Sequence, residues 1–134
     1  MNNTPHHTRY AICWLLLFTI AAFAAQAGAT EVSRARFTSA IENREPIDEI
    51  TQLGIDHARI YFFSEIRNGQ GQTVTHRWLY KGKVMAEVSF DIKGPRWRVY
   101  SSKNLLPFWT GTWTVQVVDA NGEVLTEKRF EYME

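Results

Sequence analysis

Between Thr73 and Trp113 apolar and aromatic residues fall on alternate positions through successive short runs, and this period of two constrains the chain most. Val74, Trp78 and Tyr80 share one face of the first run; Val84, Ala86, Val88 and Phe90 share one face of the second. Trp97 and Val99 oppose Arg96, Arg98 and Tyr100 in the third, and Trp113, Val115 and Val117 line one side of the last. A two-residue period marks half-buried strands, because successive side chains leave a pleated backbone on opposite faces. Lys81-Gly82 joins Thr73–Tyr80 to Lys83–Ile92 as a hairpin, and Ala120-Asn121-Gly122 joins Gly111–Asp119 to Val124–Tyr132 as a second.

The rest of the chain fits the same class. Arg59 to Ile66 is apolar on both faces, as expected of a central strand, and Arg34 to Ile41 alternates imperfectly, as expected of an edge strand. Asn43 to Glu49 reads as a polar connection with at most one helical turn, since Pro46 should interrupt any ladder. Ser101 to Thr110 reads as an apolar loop. About seven short antiparallel strands with regular turns predict an all-β, immunoglobulin- or fibronectin-like β-sandwich, with a small barrel as the alternative.

The first residues read as a secretory signal rather than as fold. His6, His7 and Arg9 precede an apolar run from Tyr10 to Ala25, and Ala27-Gly28-Ala29 offers the small residues of a cleavage site. The expected organisation is a signal peptide over 1–29 and a single β-sandwich domain over 30–134, exported to the periplasm or beyond. The apolar run is short for a spanning helix, so an uncleaved N-terminal membrane anchor is the alternative. Cleavage would remove Cys13, the only cysteine, leaving no thiol and no disulfide. Loss of Arg9 brings the fifteen basic residues level with the fourteen acidic ones, which gives no global pull toward nucleic acid or anionic lipid.

Across 34–132 the chain resembles a bacterial family of uncharacterised domains, domain-of-unknown-function family 2914. The resemblance is carried by Ala35-Arg-Phe-Thr, Ile41-Glu-Asn-Arg-Glu-Pro-Ile-Asp-Glu and Tyr61-Phe-Phe-Ser-Glu-Ile-Arg. It continues through Gly71-Gln-Thr-Val-Thr-His-Arg-Trp, Met85-Ala-Glu-Val, Gly94-Pro-Arg-Trp-Arg-Val-Tyr-Ser-Ser-Lys-Asn-Leu-Leu-Pro and Trp109-Thr-Gly-Thr-Trp-Thr-Val. It implies a family and domain limits but no activity.

Candidate chemistry is sparse. His76 shares a face with Val74, Trp78 and Tyr80, where a hydrogen-bonded structural imidazole is expected over a catalytic one. With His57 as its only companion and no mature cysteine, no zinc site is expected, and no cofactor motif is present. Glu65, Glu87 and Asp91 stand on strands where a carboxylate pair would have to meet across a cleft. Arg96, Arg98, Tyr100 and Lys103, with Phe108 and Trp109 of the following loop, form the expected binding surface, since guanidinium and aromatic faces suit a carboxylate, phosphate or sugar ring. The simpler account of the same residues is a solvated strand face and a loop that plugs one end of the sandwich. Trp78, Trp97 and Trp113 are expected in the core. These readings favour a non-catalytic exported module binding a protein or glycan of the cell envelope. A purely structural accessory domain comes second and an envelope hydrolase third.

Overall fold

The computed structural model describes residues 28–134, so nearly all of the expected signal peptide, Cys13 included, lies outside the described residues. The alternating runs form strands and no helix is present among the described residues. In chain order these are β1 (Glu31–Thr38), β2 (Ile41–Glu42), β3 (Glu45–Pro46), β4 (Gln52–Gly54), β5 (Arg59–Arg67), β6 (Thr73–Tyr80), β7 (Lys83–Asp91), β8 (Arg96–Asn104), β9 (Gly111–Val118) and β10 (Val124–Met133). Hence no described helix is long and apolar enough to cross a membrane.

Two sheets make a sandwich. The smaller has the order β1-β5-β8 and the larger β4-β10-β9-β6-β7. All pairings are antiparallel except β4 with β10. β5 is central and β1 is an edge, as the sequence predicts. The inner faces meet around Phe37, Phe62, Trp78, Trp113, Val115, Phe130 and Tyr132, all buried. Phe37 lies 4.7 Å from Phe130 and 4.9 Å from Phe62, joining the two sheets through tilted rings. Aromatic area of this kind is what a domain without disulfides uses to offset its chain entropy.

Several elements differ from the sequence reading. Ile41–Glu42 and Glu45–Pro46 form a small hairpin in place of a helical turn. Asn43 and Arg44 at its tip have φ of 50° and 63°, the left-handed pair that a tight two-residue turn requires. Pro46 is tolerated because this ladder is an isolated pair, so its missing N–H need not serve an inner strand. β4 pairs in parallel with the end of β10, a contact that three residues without alternation do not announce. The chain changes sheets between adjacent residues here: Ile50 N donates to Phe37 O and Glu131 N to Thr51 O, each at 2.9 Å. A bulge opposite Trp78 and Leu79 shifts the β7 register, turning Val84 outward, away from the face it was expected to share with Ala86. β8 runs on to Asn104, so Lys103 belongs to a strand and not to the loop. Trp78 and Trp113 are fully buried, whereas Trp97 is only half-buried at the margin of the core, with the Arg44 guanidinium 5.6 Å from its ring centre.

Candidate functional site

On the outer face of the small sheet, register puts Arg34, Glu65 and Arg98 in one cross-strand row. The β2–β3 hairpin adds Glu45 to the same row. Glu65 Oε1 accepts from Arg34 Nη2 at 3.0 Å and Arg96 Nε at 2.6 Å, while Ser33 Oγ donates to Oε2 at 2.6 Å. Glu45 takes a two-pronged bond from Arg34 at 2.7 and 3.0 Å and one from Arg98 Nη1 at 2.6 Å. Arg34 also lies over the buried Phe63 ring, 4.9 Å from its centre. Burial by itself would push the Glu65 carboxyl up, but hydrogen bonds from Arg34, Ser33 and Arg96 outweigh it and hold the group at about 2. Bonds from Arg34 and Arg98 hold Glu45 at about 2 as well. Arg96 and Arg98 therefore spend their charge inside the protein, fastening the hairpin and the strand edges. Two other arginines on this face are freer. Arg59 lies over Tyr61 and donates to Ser102 Oγ at 2.9 Å, and neither it nor Arg36 has an acidic partner among the described residues. Tyr100 is half exposed beside them.

His76 sits on the opposite side of β5, wholly inside the sandwich. Its Nε2 is 2.7 Å from Ser64 Oγ and its Nδ1 2.8 Å from Ser101 Oγ, which also accepts from Trp78 Nε1 at 3.1 Å. Desolvation drives the imidazole down to about 3, so the ring is neutral and either tautomer satisfies the two serines. This chain joins β5, β6 and β8. It is sealed from solvent, and a substrate would have to open the core to touch it.

The third feature is the end of the sandwich where the β8–β9 loop crosses. Leu105 is buried and its N–H is held by Ala58 O at 2.9 Å. The loop tightens through a bond from Trp109 N to Leu106 O at 2.9 Å. Trp109 is half-buried, 5.8 Å from Trp113, whose Nε1 donates to Trp109 O at 2.9 Å. Lys103 Nζ lies 5.1 Å from the Trp109 ring centre. Trp109 is thus a plug. Phe108 is not: 73% of it is exposed, although the loop beneath it is fastened from both sides.

The expected binding surface therefore separates into two. Arg96 and Arg98 lie on the outer face of the small sheet, while Lys103, Phe108 and Trp109 lie at one end of the sandwich. Arg96 and Lys103 are seven residues apart on an extended strand, roughly 23 Å. The expected carboxylates also separate: Glu65 lies outside the small sheet, and Glu87 lies outside the large one, against Arg77 at 3.2 Å. Among the described residues no three His, Cys, Asp or Glu side chains gather closely enough to hold a metal ion. A shallow groove of about 360 Å³ runs over the large sheet past Leu79, Thr114, Gln116 and Arg129, but its Glu127 is already bonded to Gln116 and Arg129.

The family described as "Protein of unknown function (DUF2914)" matches residues 71–132, the stretch from just before β6 to near the end of β10. The resemblance seen in the motifs holds over these residues. No curated protein matches the chain. Among solved structures, the fold is similar to part of the beta-glucosidase from Kluyveromyces marxianus, at 9% sequence identity and a TM-score of 0.43. That similarity covers 75% of this chain and 14% of the other.

Proposed function

We propose that a chain carrying this family's sequence serves as an exported, non-catalytic interaction domain, docking to a partner in the cell envelope through the Leu106-Pro107-Phe108 end of its sandwich. The observation that carries this reading is the exposure of Phe108 on a loop that is otherwise tied down. A large apolar ring held rigidly in water gains free energy when a partner covers it, and little entropy is lost in doing so. The chemically capable residues support the same reading. Glu65 is consumed by three arginine or serine bonds, and His76 by two serines inside the core.

The test compares Phe108→Ala with the unaltered chain in co-sedimentation with cell-envelope extract, alongside thermal melts. The expected result is a clear loss of co-sedimentation with an unchanged melting temperature. Equal co-sedimentation by both proteins would remove this surface and leave the purely structural reading. Export itself is checked by the mass of the secreted form, which should correspond to a chain starting at Thr30.

A further inference from the structure

We infer that β7 is an interface to a second copy of this chain, the two strands lying antiparallel about Val88 so that two five-stranded sheets continue into one. The contact is independent of the Phe108 tip. The large sheet ends at β7, and among the described residues no strand lies beyond it. Ile92 N donates to Gln72 O at 2.9 Å, and Ile92 O accepts from Gly71 N at 2.8 Å, so the backbone of Ile92 points toward β6. Antiparallel alternation then turns the N–H and C=O groups of Phe90, Val88 and Ala86 the same way, and those of Asp91, Ser89 and Glu87 outward. An outward row of alternating donors and acceptors is matched by the backbone of another extended chain.

The other edges are guarded against such pairing. β1 has a register shift after Val32 and carries Arg34 and Arg36; β8 carries Arg96, Arg98 and Lys103; β4 has only three residues. Irregular register, cations and shortness are the usual devices that keep a free edge unpaired. On β7 the bulge opposite Trp78 and Leu79, together with Lys83, protects only the first residues. From 86 to 91 the strand holds no Lys, Arg, Pro or Gly, and Glu87 is bonded to Arg77 at 3.2 Å. The inward side chains of this stretch, Ala86, Val88 and Phe90, are each only half-buried, although their cross-strand partners Trp78, His76 and Val74 are fully buried. Cover from the small sheet therefore thins out at β7, and a further strand beside it would complete that cover.

The order of residues in β7 selects its own copy as that strand. Two-fold pairing centred on Val88 sets Val88 against Val88 and Ala86 against Phe90, small against large on both sides of the axis, while Glu87 meets Ser89. Charge opposes the neighbouring registers. Centring on Glu87 sets two glutamates face to face, and centring on Ser89 sets Glu87 against Asp91. A slip by a single residue would turn the apolar side chains of one copy onto the polar face of the other.

The experiment measures mass by sedimentation equilibrium of the full chain over a range of concentrations. The natural chain should approach twice the monomer mass. Val88→Lys sets two ammonium groups across the axis, and Ser89→Pro removes an outward N–H without touching the ladder to β6. Each should weaken self-association about tenfold or more, with thermal melts showing that both variants still fold. Phe108→Ala should leave self-association unchanged, so this inference and the docking proposal fail separately. In a Cys13→Ser background, Val88→Cys should oxidise to a disulfide-linked pair, because directly opposed residues of a non-hydrogen-bonded pair lie within disulfide reach. Glu87→Cys and Ser89→Cys should cross-link less. A monomeric natural chain, self-association that survives both Val88→Lys and Ser89→Pro, or cross-linking through Glu87→Cys or Ser89→Cys in preference to Val88→Cys overturns the inference.

Discussion

At the scale of single residues, the buried polar groups are of two kinds: Glu65 keeps its charge among arginines, and His76 gives its charge up. His76 is the test of the second kind. Its ring stays neutral in the fold down to about pH 3 but takes a proton near 6.5 when the chain unfolds. Stability is therefore complete above pH 6.5 and falls as pH drops toward 3, by up to about 1.4 kcal/mol per unit. Glu45 and Glu65, held at about 2 against 4.5 in the unfolded chain, add their own loss only below 4.5. Melting temperature against pH should thus decline already between 6.5 and 4.5 in the natural protein, and His76→Gln should flatten that interval whatever its absolute stability. A second residue-scale prediction concerns Glu65. Glu65→Gln leaves Arg34 and Arg96 short of a counter-charge at a buried position and should cost about 2 kcal/mol in urea unfolding. A cost near zero would mean that the lattice adds nothing to stability. His76 was visible in the sequence as a half-hidden ring among apolar neighbours. Its partners Ser64 and Ser101 were not, because each lies on a different strand and only cross-sheet packing brings them together.

At the scale of elements, adjacent residues of the β8–β9 loop should behave oppositely. Trp109→Ala removes a ring packed on Trp113 and should cost about 2–3 kcal/mol, as truncation of a large packed side chain does. Phe108→Ala touches little and should stay within about 0.5 kcal/mol. Paired melts of the two variants decide this, and equal losses would contradict the description of one as plug and the other as tip. The long elements were legible because their alternation and their glycine turns agree. Lys81-Gly82, with φ of 50° and 75°, adopts the turn its sequence suggests. The short elements were hidden for physical reasons. The β2–β3 ladder is held by Arg34–Glu45 and Arg98–Glu45 contacts that no local pattern encodes. β4 is a strand only because β10 lies beside it. Arg96 and Arg98 looked free because alternation shows which face a side chain takes and not what waits there; Glu65 and Glu45 come from other strands.

At the scale of the whole molecule, the two sheets share the aromatic core but differ in surface. The strands of the small sheet carry seven cationic residues, Arg34, Arg36, Arg59, Arg67, Arg96, Arg98 and Lys103, against Glu31 and Glu65. The hairpin between β1 and β4 returns part of that charge through Glu45. The strands of the large sheet balance Arg77, Lys83, Lys128 and Arg129 against Glu87, Asp91, Glu127 and Glu131. What marks out one end is the exposed Leu106 and Phe108 of the β8–β9 loop, and the docking proposal stands on that tip. Hydrogen–deuterium exchange of the full chain, with and without cell-envelope membranes, tests it most directly. The account predicts added protection in the β4–β5, β6–β7 and β8–β9 connections and none at Arg34–Arg36 or Arg96–Tyr100. Protection over the arginine face with an unchanged β8–β9 loop would contradict it.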